Sequence, residues 1–62
     1  MIYELSQDGC RLGLYPTEAE AIHHASYMPQ GCYTIREWTQ EGEFMVFDSD
    51  SCKTYLFDNR HN

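Results

Sequence analysis

Three cysteines, three histidines and a series of spaced carboxylates are the residues of this 62-residue chain that could carry chemistry. His23 and His24 are adjacent, so on a helix they project about 100° apart. Zinc on a helix needs ligands on one face, as at i and i+4, and only Glu20 stands in that relation to His24. No structural or regulatory metal is expected. Cys10, Cys32 and Cys52 form no CxxC pair, and a thiol nucleophile needs a base and an orienting group, for which no local signature exists. Their odd number, without a secretory leader, predicts a reducing compartment and free thiols. Under oxidising conditions one disulfide is open to the chain, and the spacing does not choose the pair. Ser6, Ser26, Ser49 and Ser51 lack the GxSxG setting of a nucleophile elbow. The glycines are isolated and make no phosphate-cradling loop. The pairs Glu41/Glu43 and Asp48/Asp50 sit at strand ends and turns, without the dense oxygen-ligand loop of a calcium site. The expectation is a protein with no catalytic residues, no cofactor and no metal.

The carboxylates have a second use, as a charge pattern. Ten acids face four bases, Arg11, Arg36, Lys53 and Arg60, for a net charge of −6. Four scattered cations cannot displace counterions from a nucleic-acid backbone, so direct nucleic-acid binding is excluded. An acidic domain is steered toward basic surfaces; the plainer reading is that the surplus acids only keep a small protein soluble. Between Glu37 and Asp58 there are six acids and one base, Lys53. Acids two apart on a strand lie about 6.6–7 Å apart on one face, of the order of the phosphate spacing along one nucleic-acid strand. Such an edge offers carboxylates to Lys and Arg side chains that ordinarily grip phosphate.

These residues must be positioned by very little chain. Sixty-two residues allow one domain, which buries only about 60% of the surface its unfolded form exposes. Leu, Ile, Val and Phe number eleven, near the disordered range, but five Tyr, one Trp and three Met return the chain to the folded class. No run approaches the ~20 apolar residues of a membrane span, and Met1-Ile2-Tyr3-Glu4 does not read as a signal peptide. Residues 2–6 alternate as a strand. Asp8-Gly9 is a two-residue hairpin turn, and Cys10–Tyr15 resumes the alternation with Cys10, Leu12 and Leu14 on one face, Gly13 marking a bulge or an early end. Thr17 and Glu20 form a capping box for a helix reaching Tyr27 or Met28 and stopped by Pro29. Ala21, Ile22, Ala25 and Met28 make its buried stripe. Further strands are expected over Cys32–Thr39, Glu43–Phe47 and Cys52–Asp58, separated by turns at Glu41-Gly42 and at Asp48–Ser51, with Asn59–Asn62 a frayed tail. The order is β-β-α-β-β-β, or β-α-β-β-β if the second strand is lost. That is an α+β domain with one helix on a mainly antiparallel sheet.

One helix shields one face of a sheet. Phe44-Met45-Val46-Phe47 and Tyr55-Leu56-Phe57 are apolar on both alternations, and Trp38 lies on the opposite alternation from Tyr33 and Ile35. The uncovered face therefore carries an aromatic and Met stripe, rimmed by Glu37, Glu41, Glu43, Asp48, Asp50 and Asp58. Aromatic anchors within a polar rim characterise protein interfaces, a homodimer included. Twist and long neighbouring side chains are the alternative cover.

A short acidic chain with an opening strand Met1–Ser6, a capped helix Thr17–Met28 and closing strands over Cys32–Asp58 resembles phage-encoded anti-CRISPR proteins, in particular inhibitors of type I surveillance complexes. The resemblance spans nearly the whole chain as an architecture and charge pattern, since that group has no diagnostic motif. It implies a stoichiometric inhibitor acting as a DNA mimic on a basic DNA-recognition surface, in the host-cell cytoplasm, with no catalytic residues to transfer. The partner would be a basic nucleic-acid-binding protein, a CRISPR effector subunit, met through Glu37, Trp38, Glu41, Glu43, Asp48 and Asp50. The alternative function is a small non-enzymatic interaction or homodimerising domain that uses the aromatic sheet face.

Overall fold

Asp8 and Gly9 both adopt positive φ, 52° and 81°, as the two central residues of a type I′ turn require. The structure is a computed structural model describing residues 1–60, and in it this turn joins β1 (Ile2–Gln7) to β2 (Cys10–Tyr15). The ladder pairs Leu5 with Gly13 but Ser6 with Arg11, so Leu12 is the extra residue of a β-bulge. The expected shared face of Cys10, Leu12 and Leu14 is therefore corrected. Cys10 stands opposite Gln7 and Leu14 opposite Glu4, which places them on opposite faces because the bulge reverses the alternation. The same reversal turns Arg11 onto the face of Glu4.

The helix α1 runs over Glu18–Tyr27, and the Thr17 hydroxyl accepts the Glu20 N–H at 3.2 Å. Glu18 and Glu20 stand in the first turn, where the exposed N–H groups favour negative charge. Ala21 and Ala25 are fully buried, with Ile22 and Met28 packed beside them; Glu20, His23, Ser26 and Tyr27 are exposed, as the 3.6-residue period predicts. Thr17→Ala is expected to lower stability by about 1 kcal/mol, a shift of several degrees in thermal melts followed by circular dichroism. An unchanged melt would mean that the cap contributes nothing.

Three strands follow: β3 (Cys32–Glu41), β4 (Phe44–Val46) and β5 (Thr54–Asp58). The second hairpin turns one residue later than expected, at Gly42-Glu43, because Gly42 takes the positive φ (60°) that a type II′ turn places first. β4 is shorter than expected, and Cys52 belongs to the preceding turn rather than to β5, its N–H bonded to the Asp48 carbonyl at 2.7 Å. All pairings are antiparallel, in the order β2-β1-β3 with β4 beyond β3. β1 and β5 both pair with residues 34–36 of β3, so β5 and β4 share its second edge in tandem. The fold is α+β, β-β-α-β-β-β.

The helix lies over β1, β2 and β3. Leu5, Ala21, Ala25, Tyr33 and Ile35 form the core, with Tyr3, Tyr15, Tyr55 and Phe57 around it. The expected frayed tail is corrected at Asn59, which is 7% exposed. Its Nδ2 donates to the Ala25 and Met28 carbonyls at 2.8 and 3.0 Å, and its Oδ1 accepts the Gly31 N–H at 2.8 Å. An Asn after the last strand thus closes the helix end, because the last carbonyls of a helix have no partner within it. Arg60 is exposed and grips Asp58; His61 and Asn62 lie outside the described residues.

Candidate functional site

β1 pairs with β3 only as far as Ile2 opposite Trp38. Beyond that point Thr39–Glu41 and Phe44–Val46 pair only with each other, and the hairpin continues past the sheet as an arm of a molecule measuring 41 × 19 × 19 Å. Glu43 stands in its tip and Glu41 beside it, both exposed. Phe44 stands next to Glu43 and is 75% exposed. Asp48 and Asp50 are exposed in the loop that leads from the arm into β5. Neither ion pair among the described residues, Arg11–Glu4 or Arg60–Asp58, involves the arm or this loop. The four acids are not equivalent. Asp48 accepts the Asp50 N–H at 2.9 Å, an Asx turn, and that bond holds its carboxyl below the ordinary value. Among the described residues Glu41 and Glu43 have no such duty.

The remaining sequence candidates separate. Glu37 faces the helix side of the sheet, where it accepts the Tyr3 hydroxyl at 3.0 Å and so raises the Tyr3 pKa above its ordinary value. Trp38, its neighbour, points to the other face. The structure therefore gathers Glu41 and Glu43 on the arm and Asp48 and Asp50 beside it, and leaves Glu37 and Trp38 on opposite sides.

The helix-free face carries the apolar surplus anticipated from one helix on a two-faced sheet. Leu56 is 72% exposed there, opposite Thr34 in the ladder. Phe47 folds onto this face, its ring 5.2 Å from that of Trp38 and 5.1 Å from the Arg36 guanidinium carbon. Glu4, Ser6, Gly9, Arg11, Thr34, Arg36 and Trp38 line a groove of about 450 Å³. Of these only Trp38 was singled out by sequence. The alternation of Arg36 with Trp38 was visible in β3, but Glu4 and Arg11 reach the groove through the β1 register and the bulge.

The other reactive groups are placed in ordinary settings. His24 stacks on Tyr15 and His23 meets Tyr27 edge-on. Among the described residues no group of three or more His, Cys, Asp or Glu side chains converges as a metal site would. Cys10 and Cys32 are exposed at the starts of β2 and β3, and Cys52 is buried against Thr39. Hydrogen bonding to the Asp48 backbone and to Thr39 holds the Cys52 thiol below its ordinary value. Side-chain and backbone hydrogen bonds from Arg60 bring the Asp58 carboxyl down to about 2. No helix among the described residues is long and apolar enough to cross a membrane. The chain matches no family model, no curated protein and no solved structure.

Proposed function

We propose that this protein is a non-catalytic binding module that presents its acidic arm to a basic surface of a nucleic-acid-handling protein. The observation that supports the reading is the projection of the β3–β4 hairpin beyond the sheet, with Glu41, Glu43 and Phe44 exposed and neither glutamate in an ion pair among the described residues. An aromatic side chain beside acids is suited to desolvated contact flanked by charge-assisted bonds to Arg or Lys. Asp48 and Asp50 extend the acidic surface along the arm, so one basic groove would meet both sets. On the resemblance drawn from the sequence, the partner is the DNA-recognition subunit of a type I CRISPR effector, and the protein acts as a stoichiometric DNA mimic.

The test is binding to purified type I effectors, with inhibition of their target-DNA binding as the second readout. Glu41→Lys together with Glu43→Lys is expected to weaken binding at least about tenfold, ~1.4 kcal/mol, while the domain stays folded. The loss should fall mainly on the association rate and shrink as salt rises, because long-range attraction is screened. Glu18→Lys with Glu20→Lys is the control, expected to act on stability through the helix end. A specific observation favours a second reading, the exposed Leu56 on the helix-free face, which suits an interaction or homodimerising domain. If the arm reversals leave affinity untouched while Trp38→Ala or Phe47→Ala abolishes binding, that second reading replaces the first.

A further inference from the structure

The groove on the helix-free face has a charge opposite to that of the protein. It holds two guanidiniums, Arg11 and Arg36, and one carboxylate, Glu4, a local excess of one positive charge on a chain of net charge −6. Glu4 and Arg36 are direct partners in the β1–β3 register. Yet Glu4, itself buried, is taken by Arg11 at 2.6 Å, because the bulge in β2 turns Arg11 onto this face. Arg36 makes no ion pair among the described residues. Its Nε and the indole Nε1 of Trp38 are both buried donors that meet no acceptor among the described residues. A buried donor left unpaired is costly, and these two, on neighbouring side chains of one face, are placed to share one acceptor. Ser6 and Thr34, cross-strand partners, add two hydroxyls to the same lining.

Phe47 packs on both orphaned side chains. It belongs to no strand, so its ring can turn aside without breaking a ladder bond. We propose that this groove is a binding site for a small oxyanion, a carboxylate or a phosphate, held by the Arg36 guanidinium and the Trp38 indole N–H once Phe47 swings away. The donors are a fork that matches a carboxylate or phosphate oxygen pair, an indole N–H and two hydroxyls. Glu4 leaves no second anion unneutralised, since Arg11 already holds it. The groove lies on the helix-free face, and its cover, Phe47, joins β4 to Asp48.

Trp38 is the only tryptophan, so its indole N–H gives a single resonance that reports on the groove. The experiment titrates the whole protein with benzoate and with inorganic phosphate, using benzamide as the neutral control. Saturable movement of the indole resonance with at least one anion, and none with benzamide, is the expected result; the anion that saturates at lower concentration identifies the source. Arg36→Gln is expected to weaken the response at least about tenfold with the amide spectrum otherwise native. Glu4→Gln should strengthen it, since it removes the only negative charge in the groove and frees Arg11, and this gain remains readable if Arg36→Gln does not fold. An indole resonance unmoved by both anions overturns the proposal. So does an undiminished response in folded Arg36→Gln, or a weaker one in Glu4→Gln.

Discussion

Asn59→Asp is expected to destabilise the domain by about 3 kcal/mol, and Asn59→Ala by about 2 kcal/mol, in urea unfolding at neutral pH. Asn59 supplies an amide N–H₂ that reaches the Ala25 and Met28 carbonyls and an oxygen that takes the Gly31 N–H. Alanine removes these side-chain bonds, takes the amide donor from the Met28 carbonyl and leaves the Ala25 carbonyl with the Met28 N–H at 3.2 Å. Aspartate keeps the oxygen but points a carboxylate at those carbonyls, where the partial negative charge of the helix end opposes it. The carboxyl introduced there should titrate above its unfolded value. The extra loss is therefore fully present at neutral pH and recedes as pH falls through the folded value, when the protonated group regains a donor. An Asp variant as stable as the parent would show that the tail does not hold the helix. In a domain of this size either loss is a large part of the total stability.

Leu5→Ala is expected to cost about 3 kcal/mol, enough to leave a substantial unfolded population, whereas Leu56→Ala should stay within about 0.5 kcal/mol. Both leucines lie in strands, and the difference is the face. Leu5 is fully buried in one cluster with Ala21, Ala25 and Ile35. Leu56 projects from the helix-free face and already meets water. The two variants, compared by thermal and urea unfolding, read out the sheet register directly, since a one-residue slip exchanges the faces. Equal losses would contradict the assignment of the helix to the Leu5 face.

The local signals were legible for definite reasons. Asp8-Gly9 forms the tight turn because both residues tolerate positive φ, Thr17 caps because its hydroxyl reaches the third amide, and the Ala21/Ala25 stripe follows from the helical period. Other features depend on position in space. Glu41-Gly42 and Gly42-Glu43 are two adjacent dipeptides that share one glycine, and only the β3–β4 register chooses the second as the turn. Asn59 looked like tail because its partners, Ala25, Met28 and Gly31, are far away in sequence. The bulge at Leu12 defeated simple alternation, and with it the assignment of Arg11 to a face.

For function the division is similar. The sequence by itself determined an acidic, one-helix α+β domain with its charge concentrated after Glu37 and more apolar strand residues than one helix can cover. Periodicity, turn chemistry and net charge are properties of neighbouring residues or of the whole composition, so they need no coordinates. Only the tertiary structure decided which acids stand together. It put Glu37 against Tyr3, committed Asp48 to a turn, and left Glu41 and Glu43 exposed on an arm beyond the end of β1. It alone set Arg36 opposite Glu4, gave Glu4 to Arg11, and laid Phe47 over Arg36 and Trp38. Those pairings depend on strand register and on one inserted residue, and side chains that meet across a sheet leave no periodic mark in the chain that encodes them.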